Sequence, residues 1–255
     1  MNSKLAVFDF DNTIIDVNSD TFVDRVILKQ KNESSKKYYE YPVEIEQLTK
    51  SHNWTHRMNA VFSYMNLKYS IQQEQIVNCM HEIFIEDSMK QLIKKLHAHG
   101  FELVIISDAN SIFIHEILRK NNLDTLFSKI YTNKAEFCAT TGCLKVQPFN
   151  ECFNSNKELF NCSTKVCSTN ICKGEVLKRH LDQANGLTNV TTVVYIGDGK
   201  NDYCPGLCLR ESDFYFVREN YSLSKLLDRR KSLGENIKAK IIKWSTAKDI
   251  LPMIG

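Results

Sequence analysis

Three short apolar runs, each broken off by acidic residues, constrain this chain more than any other feature. Leu5, Ala6, Val7 and Phe8 lead straight into Asp9, Asp11 and Thr13. Phe101 to Ile106 leads into Ser107 and Asp108, and Thr192 to Ile196 into Asp198 and Asp202. Runs this short and this continuously apolar read as strands covered on both faces, the mark of a parallel sheet. Between them apolar residues recur at helical spacing: Met89, Leu92, Ile93 and Leu96 before Gly100, then Ile112, Ile114, Ile117 and Leu118. Strand, helix and strand in succession build a parallel sheet with right-handed crossovers. In such sheets ligands bind beyond the carboxyl ends of the strands. The topology therefore places all the acidic endings on one rim.

The rest of the chain fills in around those strands. Phe22, Val23, Val26 and Ile27 predict a helix that Ser19 or Asp20 caps. A short helix is expected over 43–49. Trp54, Met58, Val61, Phe62 and Met65 form a packing stripe, and a further helix covers about 71–84. No strand pattern interrupts 20–85, so 19–85 reads as a helical insertion between two parts of one core, 1–18 and 86–255. Asp87 or Ser88 caps the next helix, and Gly100 closes it. A third strand is expected at Lys129 to Thr132, then a hairpin pairing 137–139 with 144–146 around Thr141-Gly142. A helix from Gly174 to about Ala184, a strand at Asp213 to Val217, a helix over 222–230 and an edge strand at Ile241 to Trp244 complete the pattern.

Composition narrows the function. The net charge of +3 over 255 residues has no dominant basic block, which argues against nucleic acid as a partner. No apolar run reaches the ~20 residues of a membrane span, and no secretory leader opens the chain. A cytoplasmic protein with reduced thiols is the expectation, and the odd count of nine cysteines fits a disulfide framework poorly. The loop bearing Cys152, Cys162, Cys167 and Cys172 lacks the Cys-x2-Cys pairs of common zinc sites, and no histidine lies between 116 and 179. Free thiols are the simpler reading there.

Two carboxylates two residues apart at the end of a buried strand repel one another, and burial raises the cost. Asp-Asn-Thr is also ordinary turn chemistry. Three or four carboxylates on one rim require a cation. Hard oxygen ligands in incomplete number favour Mg²⁺, which keeps waters and shares a substrate phosphate. Ser107 and a lysine would hold the remaining phosphate oxygens. Lys173, in Ile-Cys-Lys-Gly, is the candidate, although physics alone does not select it over a solvated lysine at a helix start.

Asp9-Phe-Asp11-Asn-Thr13, Ser107, Lys173 and Gly-Asp198-Gly-Lys-Asn-Asp202 resemble, in order, the four motifs of the haloacid dehalogenase superfamily phosphatases. The resemblance implies an α/β fold, a Rossmann-like parallel sheet core with a small helical cap inserted after the first strand. Within that superfamily, Asp-Phe-Asp-Asn-Thr-Ile-Ile-Asp-Val-Asn-Ser-Asp, Ile-Ile-Ser-Asp-Ala-Asn-Ser, Asn-Ile-Cys-Lys-Gly and Tyr-Ile-Gly-Asp-Gly-Lys-Asn-Asp-Tyr-Cys-Pro are similar to the phosphoethanolamine/phosphocholine phosphatase family, which includes a pyridoxal phosphate phosphatase. It implies a Mg²⁺-dependent phosphomonoester hydrolase with an aspartyl-phosphate intermediate. Asp9 would be nucleophile and Asp11 the acid and base. The Asp9 carboxylate, the Asp11 backbone carbonyl and the Asp198 carboxylate would hold Mg²⁺. Phe10 (through its amide), Ser107 and Lys173 would bind phosphate, with Thr13 and Asp202 in support. Asp20 and Asp108 are spare carboxylates beside the motifs. They read either as contacts for a cationic head group, as in phosphoethanolamine, phosphocholine or pyridoxal 5'-phosphate, or as a helix cap and a turn residue. A phosphotransferase or phosphomutase on the same scaffold, or a non-catalytic binding protein, are the competing readings. The expected partner is a small phosphomonoester.

Overall fold

The period-two alternation of a strand decides which side of the sheet each residue serves. In the computed structural model, Leu5 and Val7 enter one buried cluster and Ala6 and Phe8 the other. Val104 and Ile106, against Leu103 and Ile105, divide the same way, as do Val193 and Tyr195 against Val194 and Ile196. The structure describes residues 3–48, 54–150, 162, 164, 166–167, 169–183, 190–234 and 237–254; Cys152 lies outside them.

Seven strands form one sheet: β1 (Ser3–Phe8), β2 (Phe101–Asn110), β3 (Lys129–Phe137), β4 (Leu144–Gln147), β5 (Val190–Gly197), β6 (Phe214–Arg218) and β7 (Lys240–Trp244). Their order is β4-β3-β2-β1-β5-β6-β7, parallel throughout except the antiparallel β3–β4 pair. The chain builds outward from β1 through β2 and β3, then returns to the other side of β1 as β5. That reversal makes β1 the switch point, where a crevice opens between strands whose connections diverge.

Between β1 and β2 the described chain is helical: α1 (Ser19–Phe22), α2 (Arg25–Gln30), α3 (Val43–Leu48), α4 (Trp54–Tyr69), α5 (Gln73–Met80) and α6 (Asp87–Ala98). After β2 come α7 (Ser111–Lys120), α8 (Lys173–Gln183), α9 (Tyr203–Gly206), α10 (Ser222–Ser232) and α11 (Ala247–Ile250). None of these helices is long and apolar enough to cross a membrane. Asn59 of α4 donates to the Val146 carbonyl and accepts from its amide, both at 2.8 Å. One side chain thus satisfies the exposed edge of β4 and ties the helical segment to the sheet.

Several boundaries differ from the sequence reading, each for a local reason. The helix expected across Phe22 to Ile27 is two helices, and Asn18 caps the first by accepting from the Thr21 amide at 3.0 Å. Ser19 and Asp20 are instead buried inside it. Helix α6 begins at Asp87 with Glu86, not Asp87 or Ser88, in the N-cap position, and Ser88 donates to the Glu86 carboxylate at 2.9 Å. Strand β2 runs through Ser107 and Asp108 to Asn110, with a register slip after Ile106. The third strand and the first arm of the hairpin are one strand, β3. Asn133, which looks like a turn residue, holds β3 to β2 by donating to the carbonyls of Asp108 and Ala109 at 2.6 and 2.8 Å.

Candidate active site

Asp9 follows the last paired residue of β1. Phe8 lies opposite Ile105 on one side and Ile196 on the other. The Asp9 amide still donates to the Ile196 carbonyl at 2.9 Å. Two residues past those partners stand Ser107 and Asp198, so the sheet register alone brings three polar endings to one rim. The intervening loop curls tightly, with the Thr13, Ile14 and Ile15 amides all converging on the Phe10 carbonyl and Asn12 at φ 53°. Arg218, at the end of β6, clamps this loop. It donates to the Asn12 carbonyl at 2.5 Å and pairs with Asp16, while lying over the rings of Trp244 and Tyr221.

Lys173 opens α8, and its side chain is wholly buried. Its Nζ lies 2.7 Å from Asp9 Oδ2 and 2.9 Å from Asp202 Oδ1. Burial works against the ammonium charge, but Asp202 and Asp9 outweigh it and hold the pKa above that of an ordinary lysine. Asp202 is fully committed. Oδ1 also accepts from the Tyr195 hydroxyl at 2.7 Å, and Oδ2 from the Asp198 and Gly199 amides at 3.1 and 2.8 Å. Its backbone carbonyl takes the Tyr215 hydroxyl at 2.6 Å. A side chain at position 197 would place Cβ 2.6 Å from that carboxylate, so the turn needs glycine for this close approach.

Asp9 Oδ1 accepts from the Phe10 amide at 2.7 Å, so that N–H faces the nucleophile candidate itself. The Asp9 carboxyl is pushed well above its usual range by burial and then by Asp202, with Lys173 opposing. Asp198 accepts from the Thr13 hydroxyl at 3.2 Å, and burial followed by the Asp202 charge raises its pKa to about 7. Asp9, Asp198 and Asp202 each offer an oxygen within 4.8 Å of the other two. The oxygens of Asp202 are all engaged, whereas Asp9 and Asp198 keep lone pairs to spare. Two buried carboxyls driven toward neutrality by burial and then by neighbouring carboxylates, with hard oxygens to offer, fit a divalent cation such as Mg²⁺.

Asp11 is not in that trio. It is buried, and its Oδ1 has no hydrogen-bond partner among the described residues. Burial raises its pKa well above the usual value, the Asp20 charge adds to this, and the Ser19 hydroxyl and amide oppose it. Ser107 is buried and accepts from the Ala109 amide at 3.2 Å, which leaves its hydroxyl proton to donate.

Asp20 and Asp108 flank this centre. The Trp54 indole donates to Asp20 Oδ2 at 2.5 Å. Burial lifts the Asp20 pKa to about 7, the Trp54 bond lowers it, and Asp108 raises it. Asp108 is half-buried and accepts from the Asn201 side chain at 3.0 Å. Its charge bears on Asp9, Asp11, Asp20 and Asp198 alike. Of the aromatic residues near the inserted helices, Tyr39 and Tyr41 pack into a cluster with Tyr64 and Tyr69, and Tyr38 is exposed. Trp54 alone among them reaches a carboxylate of the rim. Sequence reasoning missed Tyr195, Tyr215, Asn201 and Arg218. A tyrosine inside a doubly covered strand was the available signal, because a buried hydroxyl needs a partner.

The switch-point sheet and its carboxylate–lysine rim are those of the haloacid dehalogenase fold. A structure titled phospho-aspartyl intermediate analogue of phosphoserine phosphatase shares the fold over 100% of both chains, with a TM-score of 0.58 and 18% identity. Within that class the chain belongs to the putative phosphatase family, whose model matches residues 4–254. Pyridoxal phosphate phosphatase PHOSPHO2 of Rattus norvegicus is 32% identical over 253 residues, covering 97% of this chain and 95% of that protein. Inorganic pyrophosphatase 2 of Arabidopsis thaliana is 30% identical over 250 residues, covering 98% and 81%. The sheet architecture, the superfamily and the phosphatase activity expected from the motifs are all borne out.

Proposed function

We propose that the protein hydrolyses a small, amine-bearing phosphomonoester through an aspartyl-phosphate on Asp9, with Mg²⁺ as cofactor. The observation that carries this reading is the buried Asp9–Lys173–Asp202 chain. It holds a carboxylate against a fixed cation at the mouth of the switch point. The Asp9 carboxylate attacks phosphorus, and the bond from phosphorus to the substrate's alkoxide oxygen breaks. Asp11, whose raised pKa keeps a proton available, gives it to that alkoxide. The Asp11 carboxylate then takes a proton from the water that attacks phosphorus, releasing phosphate and restoring Asp9. Lys173 and the Ser107 hydroxyl bind the equatorial oxygens, and Asp202 keeps the Lys173 side chain pointed at them. The carboxylates of Asp9 and Asp198 and the backbone carbonyl of Asp11 would hold Mg²⁺. When bound, the ion would offset the repulsion between carboxylate and phosphate. Thr13 orients Asp198 for this role.

Residues 19–85 act as a cap over this rim, and they bring Asp20 and Trp54 to it. Asp20 and Asp108 make the approach acidic, which favours a substrate carrying positive charge, such as phosphoethanolamine, phosphocholine or the cofactor pyridoxal 5'-phosphate. Pyrophosphate brings only negative charge into the same surroundings and fits them less well. The cytosol is the compartment that suits both substrate and thiols. The test is phosphate release across a metabolite panel, with and without Mg²⁺, for wild type and Asp9→Asn. Metal-dependent release, strongest for amine-bearing esters and abolished by Asp9→Asn, is expected. Full activity in Asp9→Asn, or a preference for pyrophosphate, would overturn the reading.

A further inference from the structure

A second cluster of ligand-type side chains shares no residue with the carboxylate rim and includes neighbours of Lys173 and Asp202 in sequence. The sulfurs of Cys162, Cys167, Cys172 and Cys204 all fall within 4.8 Å of one another. Cys204 Sγ is 3.5 Å from Cys162 Sγ and 3.3 Å from Cys167 Sγ, too far for a disulfide, and all four are free thiols. Cys172 and Cys204 are buried, and Cys162 and Cys167 are half-buried.

Four thiols gathered around one point call for an explanation. Thiols are weak hydrogen-bond partners, so their mutual contacts give little reason to assemble four of them. A tetrahedral zinc thiolate site does. With Zn–S bonds of about 2.3 Å, the sulfur–sulfur edge of the tetrahedron is about 3.8 Å. The Cys204 separations of 3.5 and 3.3 Å lie just inside that edge, and sulfurs this close leave room for one ion rather than a multi-iron cluster. Sulfur donors also reject Mg²⁺, so this centre cannot compete with the carboxylate rim for the same metal. Thr164 supplies a supporting contact, its hydroxyl lying 2.9 Å from Cys204 Sγ and 3.0 Å from Cys162 Sγ. A hydroxyl in that position orients and stabilises thiolate ligands.

We infer that Cys162, Cys167, Cys172 and Cys204 form a structural zinc site that fixes the backbones carrying Lys173 and Asp202. Cys172 immediately precedes the lysine, and Cys204 stands two residues past the carboxylate. The two segments already meet closely at Gly174, where an added Cβ would lie 2.8 Å from the Cβ of Cys204. A metal at this point holds α8 to α9, adding a second tie beside the Lys173–Asp202 bond. The site is independent of the chemistry proposed at Asp9.

Metal analysis by plasma mass spectrometry tests this on full-length protein purified without a histidine tag, in zinc-supplemented medium and then gel-filtered. One zinc per chain is expected in wild type, in Asp9→Asn and in Cys208→Ser. Cys208 Sγ lies against the carbonyls of Gly174 and Cys204, outside the group of four. The double variant Cys162→Ser/Cys167→Ser is expected to lose it. Because that variant could fail to fold, wild type is also stripped with a strong zinc chelator and reloaded with Co²⁺. The visible and near-ultraviolet bands of tetrahedral cobalt thiolate should then appear, and maleimide labelling of the four cysteines should fall. Substoichiometric zinc with all four thiols labelling freely would overturn the inference. So would a disulfide among them in non-reduced peptide maps, or full zinc retention in the double variant.

Discussion

Replacing Lys173 by methionine probes the geometry at its tightest point. Methionine keeps an unbranched chain of similar length and removes the charge. Asp9 and Asp202, now 2.7 and 2.9 Å from the same ammonium, would face each other uncompensated at sites no more than 4% exposed. Removing one partner of a buried ion pair costs about 3–5 kcal/mol. For a chain of this size, that is a fall in melting temperature of roughly 6–20 °C. The deficit should depend on pH. Burial already raises the folded-state pKa of Asp9, and Lys173 is the cation that lowers it. Without the lysine the carboxyl shifts further up. A group with a raised folded-state pKa contributes stability that is fully present below its unfolded value and lost as pH rises through the folded one. The variant's deficit should therefore be greatest in mild alkali and shrink on acidification. Denaturant unfolding midpoints across pH, compared with wild type, measure this directly. Turnover should fall by about 10²–10³-fold, the loss typical of one electrostatic stabiliser. A variant that unfolds with wild type at every pH, or keeps its turnover, would refute this reasoning.

Other perturbations follow from the same structure. Asp11→Asn keeps the shape and removes the proton carrier, so turnover should drop about 10²–10⁴-fold, with the smallest loss for esters with good leaving groups; an equal loss for all leaving groups would contradict its acid role. Asp20→Asn keeps an acceptor for Trp54 but cannot ionise. With the Asp20 pKa raised from 3.8 to about 7, the variant should equal wild type below the unfolded carboxyl pKa and gain on it as pH rises, reaching roughly 4 kcal/mol at most above the folded one. Urea unfolding compared between acid, below the unfolded pKa, and mild alkali reads the difference. Gly174→Ala drives a methyl into the Cys204 backbone and should cost about 1–3 kcal/mol in thermal unfolding.

Much of this architecture was legible in the sequence because burial on both faces leaves a plain mark. Runs such as Leu5–Phe8 and Thr192–Ile196 announce their strands, and the acidic residues that end them announce the rim. Lys173 was not legible in that way. Nothing near it distinguishes it from other lysines, and its selection comes from Asp202, 29 residues further on. Tyr195 reads as one more apolar strand residue until the Asp202 turn folds back over its hydroxyl. The continuation of β3 past Thr132 depends on Asn133 finding carbonyls on β2, a tertiary contact that no local pattern encodes. Cys204 likewise sits apart from the other three cysteines, so their spacing alone gave no metal signature.

The central claim is that Asp9 carries the phosphoryl group. Acid-quenched turnover followed by peptide mass spectrometry tests it most directly, with borohydride reduction to mark the acyl phosphate. We expect one phosphoryl group on the peptide spanning Leu5 to Ile15, with Asp9 converted to homoserine on reduction and no label in Asp9→Asn. A phosphoryl group trapped on another residue during turnover, or labelling that survives in Asp9→Asn, would contradict the account.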